Sequence, residues 1–206
     1  MQSWLASLIR LDLLLESVAG LIALAISHYA NKAYQLTEQK RLSDLSSGFI
    51  VLSAAMFGRV IGTIYFFILS GDGSGNANLM MAVVTIAYGA MKIMAYVLFA
   101  ISTRPTKSPT LEGGMVLLAL PVLVDPNLDL VAILVLIVVV IQALMNYMST
   151  RSKYAAYVLA GFTLLLLSHV VAIPAQTQLG GYALSQVVQF LGFIFFLVML
   201  VKAGKE

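Results

Sequence analysis

Three charged side chains fall inside long apolar stretches, where a charge is costly unless another group neutralises it. Arg59 lies in AAMFGRVIGTIYFF, and Glu16 and Lys92 lie in two other stretches of the same kind. An arginine keeps its proton in proteins, so it needs an anion or water nearby. Ionisable residues inside membrane spans form ion pairs, proton relays or ligand sites. These three side chains are therefore the first candidates for function.

Glu16 and Arg59 occur at matching depths in their predicted helices. A rise of 1.5 Å per residue places Glu16 roughly 21 Å and Arg59 roughly 20 Å from the cytoplasmic ends. Because consecutive antiparallel helices are usually neighbours, we predict a Glu16–Arg59 ion pair that lowers the desolvation cost of both charges. Two alternatives are that Arg59 reaches the outer interface, toward Asp12, and that it lines a wet cavity.

Lys92 belongs to a polar stripe on one helix face. The stripe consists of Thr85, Tyr88, Lys92 and Tyr96, whose spacings of three, four and four residues match the helical period. Such a face normally points into a bundle, where tyrosine hydroxyls find partners. It could also hold a polar headgroup. The alternative for Lys92 is that its long side chain snorkels to the cytoplasmic headgroups.

Polar side chains in the later apolar stretches are typical of contacts between transmembrane helices. They are Gln142, Asn146, His169, Ser185, Gln186 and Gln189. His28 and His169 are predicted at different depths, so they cannot bracket one haem. Two histidines and no cysteine are too few for a zinc site. We therefore predict no metal, no cofactor and no catalytic residue, and no P-loop or nucleophile elbow is present.

The composition fixes the class of protein. Of 206 residues, 61% are hydrophobic and 10% are charged, which is too apolar for a soluble domain of this size. We predict an all-α, polytopic protein of the cell membrane, with residues 1–206 in one domain. Apolar windows of about 20 residues predict seven spans: 11–30, 46–70, 77–102, 109–124, 127–148, 153–173 and 180–202. The fourth is short and contains Pro121, so whether it crosses fully is left open.

The basic residues predict the orientation. Nine of the twelve fall in alternate connections or the C-terminal tail: Lys32, Lys40, Arg41, Arg104, Lys107, Arg151, Lys153, Lys202 and Lys205. The positive-inside rule makes that side cytoplasmic, with the N-terminus outside and the C-terminus inside. The basic pI is then a topology signal, and we expect no nucleic-acid partner.

The predicted arrangement favours a non-catalytic function. Seven short-looped helices with a basic first loop, NKAYQLTEQKRLSDLSSGF, resemble the membrane-embedded sensor modules of prokaryotic signalling proteins, a resemblance of topology that assigns no family. We predict an accessory subunit of a larger membrane complex, or a sensor that works through a partner chain, with lipids and other membrane subunits as partners. One alternative is a small transporter or proton-coupled carrier that uses Glu16, Arg59 and Lys92. Another is an enzyme that handles a lipid or quinone at the polar stripe.

Overall fold

The computed structural model describes residues 2–71, 77–104, 128–175 and 179–203. This part of the chain forms six helices: α1 (Gln2–Thr37), α2 (Lys40–Gly71), α3 (Ala77–Ser102), α4 (Leu128–Thr150), α5 (Lys153–Ala175) and α6 (Leu179–Ala203). All six contain a stretch that is long and apolar enough to cross a membrane. The all-helical architecture agrees with the prediction and indicates a multi-pass membrane protein. The predicted span 109–124 lies outside the described residues.

The first two helices are longer than the predicted spans, and the loop predicted at 31–45 is reduced to a two-residue turn. α1 continues to Thr37, and α2 begins at Lys40. Hydropathy marks only the apolar part of a helix, whereas the polar sequence NKAYQLT contains no glycine or proline to end it. Glu38 makes the turn with φ of 55°, and its N–H donates to the Tyr34 carbonyl at 2.7 Å.

The six described helices form a closed ring, in which each packs against the next in the chain and α6 packs against α1. Close contacts between neighbouring helices show their relative directions. The hydroxyls of Ser27 and Ser46 each donate to the other residue's carbonyl at 3.0 Å, and the Ser53 hydroxyl donates to the Gly20 carbonyl at 2.9 Å. The pairs 27–46 and 20–53 show that α1 and α2 are antiparallel.

In contrast, α3 and α4 run in the same direction. Gly89 of α3 lies against Leu128 at the start of α4. Thr103, just after α3, bonds to Gln142 near the end of α4. Both contacts pair residues 39 positions apart in the sequence, which is the pattern of parallel neighbours.

Four phenylalanines from four helices fill the centre of the bundle. Phe49, Phe99, Phe162 and Phe196 are fully buried and contact one another in a closed circuit, with centroid distances of 4.6, 5.4, 4.8 and 5.3 Å. We call these four residues the phenylalanine cluster. Glycines make room for it, because a Cβ at Gly48 would lie 2.5 Å from the Phe99 ring.

Candidate functional site

Arg59 and Glu16 form an ion pair between α2 and α1. Arg59 Nη1 donates to Glu16 Oε2 at 2.8 Å, and the side chains are 21% and 1% exposed. The helices approach closely here because Gly20 and Ala23 of α1 are small and buried. The guanidinium also borders a cavity. The side chain of Asp12, its alternative partner, lies outside the described residues.

Tyr88 lies between two cations. Its ring centroid is 5.0 Å from Arg59 Cζ and 4.9 Å from Lys92 Nζ, which is cation–π distance. Lys92 is only 8% exposed, so it lies inside the bundle and not among the headgroups. Among the described residues, no hydrogen-bond acceptor or carboxylate is within bonding distance of its ammonium. The ammonium is therefore desolvated, and the described groups that stabilise its charge are the Tyr88 ring and, beyond ion-pair distance, the carboxylates of Asp129 and Glu16.

The other two members of the stripe have different environments. Tyr96 is fully buried and makes a hydrogen bond across the bundle. Thr85 is exposed, lies at the rim of the cavity, and donates to the Met81 carbonyl of its own helix at 2.9 Å. The stripe therefore runs from the rim of the cavity into the protein core.

A chain of three polar side chains connects α3, α5 and α4. The Tyr96 hydroxyl is 2.8 Å from His169 Nε2, and His169 Nδ1 is 3.2 Å from Asp129 Oδ1. Because an ionised carboxylate only accepts, Nδ1 donates to Asp129, and Nε2 of the neutral ring accepts from Tyr96. Sequence reasoning missed Asp129, because it follows the polar segment VDPN and resembles an ordinary acidic residue in a first helical turn.

Gln142 and Asn146 have a different role from the cavity residues. The Thr103 hydroxyl donates to Gln142 Oε1 at 2.8 Å, and Asn146 Nδ2 donates to the Thr103 carbonyl at 2.9 Å. Both amides therefore join α4 to the end of α3. Neither borders the cavity.

The cavity lies between α2, α3, α4, α5 and α6 and has a volume of about 380 Å³. Its polar lining comprises Arg59, Thr85, Tyr88, Lys92, Asp129, Ser168, His169, Ser185, Gln186 and Gln189. Gln189 is 6% exposed, and no described residue is within hydrogen-bond distance of its amide. Ser185, Gln186 and Gln189 of α6, which are predicted to make contacts between helices, all line this cavity.

The phenylalanine cluster lies beyond one end of the cavity, about two helical turns from the residues that line it. Phe99 follows Tyr96 by three residues on α3, and Phe162 precedes His169 by seven residues on α5. The cluster therefore lies beyond the cavity, toward the ends of α3, α4 and α6. Asp129, whose side chain is 41% exposed, lies at the start of α4 on the opposite side of the cavity.

The chain matches no protein-family model, and no curated protein or solved structure shows significant similarity to it. Within the described residues, no group of three or more histidine, aspartate or glutamate side chains could hold a metal ion. The polar side chains around the cavity are therefore the residues from which a function is proposed below.

Proposed function

We propose that the protein is a membrane sensor that binds a small polar molecule in the cavity and works through a partner chain. The observation that supports this most directly is the pair Lys92 and Gln189. Both are more than nine-tenths buried, both line the cavity, and neither has a hydrogen bond to a described residue. A polar ligand in the cavity would supply the hydrogen bonds that no described residue gives to these two side chains.

The position of the phenylalanine cluster favours a sensor over a carrier. A carrier must open its site alternately to both sides of the membrane. Here four fully buried aromatic side chains fill the bundle beyond one end of the cavity, where a carrier would have to open a path. Two-residue turns join α1 to α2 and α4 to α5, which leaves no room for a signalling domain at either turn. We propose that the signal passes sideways to another chain in the membrane.

We also propose that the bundle has seven crossings, with the N-terminus outside and the C-terminus in the cytoplasm of a cell. The parallel directions of α3 and α4 support this, because the chain leaves α3 at one end of the bundle and enters α4 at the other. The end of α3 and the start of α4 are therefore about 21 Å apart along the bundle, the rise of the 14 helical residues between the two contact levels. The distribution of lysine and arginine supports the orientation.

Cysteine labelling tests the orientation, since the chain has no cysteine of its own. Ser74→Cys and Ser152→Cys lie in connections predicted on opposite sides. An impermeant maleimide should label Ser74→Cys in intact cells and Ser152→Cys only after lysis. The reverse pattern would contradict the proposed topology.

A comparison of two buried glutamines tests the binding function. We would measure the thermal-unfolding midpoint of purified protein against a library of polar metabolites. Gln189→Met should abolish the shift that an active compound causes, without lowering the midpoint of the unliganded protein, because its amide has no described partner. Gln142→Met is the matched control. It should lower the midpoint, because it removes the bond to Thr103, and keep the response. If no compound shifts the wild-type midpoint, the sensor proposal fails.

A proton-coupled carrier is the second candidate, favoured by the chain from Asp129 through His169 to Tyr96. Such chains of polar side chains carry protons in pumps and transporters. Here the chain runs from a partly exposed carboxylate to a fully buried phenol. In liposomes with a pH-sensitive dye inside, a carrier would move protons when given its solute, and His169→Phe would stop the movement. Liposomes that bind an active compound without flux would leave the sensor as the better explanation.

A further inference from the structure

We propose that the cavity is built for a zwitterion, a small molecule that carries a carboxylate and an ammonium group, as free amino acids do. The proposal rests on the cavity being the binding site proposed above. The proposal is supported by two opposite charges on different helices that both line the cavity.

Around the cavity, one cation and one anion of the described residues attract each other without being in ion-pair contact, which leaves room for a ligand between them. Arg59 is matched by Glu16 at 2.8 Å. Lys92 of α3 has no ion pair with any described residue, and the described partner of Asp129 on α4 is a histidine. Lys92 and Asp129 both line the cavity but do not contact each other. A simple anion would suit Lys92 and be repelled by Asp129, and a simple cation would meet the reverse problem.

The side chains also suggest how the ligand lies. The Lys92 ammonium donates to the carboxylate of the ligand, a charge-assisted contact that is stronger than a neutral one. His169 contacts only Oδ1 of Asp129, and no described residue bonds Oδ2, which can accept from the ammonium of the ligand. The Gln189 amide offers a donor and an acceptor beside them. A volume of 380 Å³ is at the lower end of ligand pockets, about 300–1,000 Å³, and suits a metabolite.

Wild-type protein can test the ligand class without any mutation. The thermal-unfolding midpoint is measured with each standard amino acid in turn. The most effective one is compared with two analogues, the carboxylic acid that lacks the amino group and the amine that lacks the carboxylate. We expect the amino acid to raise the midpoint, and each analogue to bind at least about tenfold more weakly, because it loses one charge-assisted contact. An equal response to either analogue would overturn the proposal.

A lysine comparison tests the role of the ammonium. Lys92→Met should abolish the response to the amino acid, yet it should not lower the midpoint of the unliganded protein, since it removes a buried charge without an ion pair. Lys202→Met is the matched control. Lys202 Nζ lies at the same 4.9 Å from a tyrosine ring, that of Tyr157, but it is outside the cavity, so its loss should leave the response intact.

The outcomes separate this proposal from the sensor function. A response to library metabolites but to no amino acid would overturn the zwitterion and leave the sensor standing. No response to either would overturn both. A destabilised Lys92→Met, in a protein that responds to no amino acid, would show that Lys92 and Asp129 serve structure.

Discussion

Removal of either charge of the Glu16–Arg59 pair should destabilise the protein, and the two losses should be unequal. Arg59→Met leaves the Glu16 carboxylate, whose side chain is 1% exposed, without its cation. Removing one partner of a buried ion pair in this way costs about 3–5 kcal/mol. Glu16→Gln leaves a guanidinium that is 21% exposed and still lies 5.0 Å from the Tyr88 ring, so we expect a smaller loss of about 1–3 kcal/mol.

The double variant Glu16→Gln/Arg59→Met should recover much of the lost stability, because neither side chain is then charged. The free energy of unfolding in detergent, measured for all four proteins, gives a coupling energy that we expect to be about 2 kcal/mol or more. Exposed turn residues provide controls: Glu38→Gln and Arg151→Met should each change the stability by less than about 0.5 kcal/mol. Single effects that simply add would show that Arg59 depends on another partner.

Three further changes test the packing, each by the free energy of unfolding. Gly48→Ala should cost about 1–3 kcal/mol because the new methyl group collides with the phenylalanine cluster. In contrast, a Cβ added at Gly58 would meet no neighbouring atom within 4 Å, so Gly58→Ala should be neutral or slightly stabilising. Equal effects of the two changes would contradict the proposed crowding. Glu38→Gly should stabilise by about 0.5–1 kcal/mol, because glycine adopts a φ of 55° without strain, and the same gain from Glu38→Ala would rule out that cause. Thr103→Val should cost about 1–3 kcal/mol by leaving its amide partner on α4 unsatisfied, while Thr163→Val, an exposed position bonded within its own helix, should change little.

The sequence predicts best those contacts that depend on depth and on chain neighbours. Glu16 and Arg59 lie at equal depths on consecutive helices, and the structure joins them at 2.8 Å. Helical spacing likewise places Tyr88 and Lys92 on one face, and both border the cavity. These relations follow from helix geometry alone, so no knowledge of the packing order is needed.

Contacts between helices that are distant in the sequence could not be predicted in the same way. Tyr96 and His169 are both polar residues in predicted spans, but no periodicity indicates that α3 packs across the bundle from α5. Asp129 was missed because one acidic residue after a polar segment is a common way to begin a helix. The predicted spans are shorter than α1 and α2, because a span is predicted only as far as the side chains are apolar. The hydrogen bonds of the helical backbone continue beyond that point.

The position of α6 has a consequence for biosynthesis. This helix follows every other described helix in the chain, yet it packs against both α5 and α1 and so completes the ring. It supplies Phe196 to the phenylalanine cluster and Gln189 to the cavity. While the ribosome is still making α6, Arg59 and Lys92 are already in the membrane beside an incomplete wall. A chain shortened before α6 would keep the Glu16–Arg59 pair of α1 and α2, but Lys92 would lie beside a cavity that lacks one wall, a defect that membrane quality control could recognise.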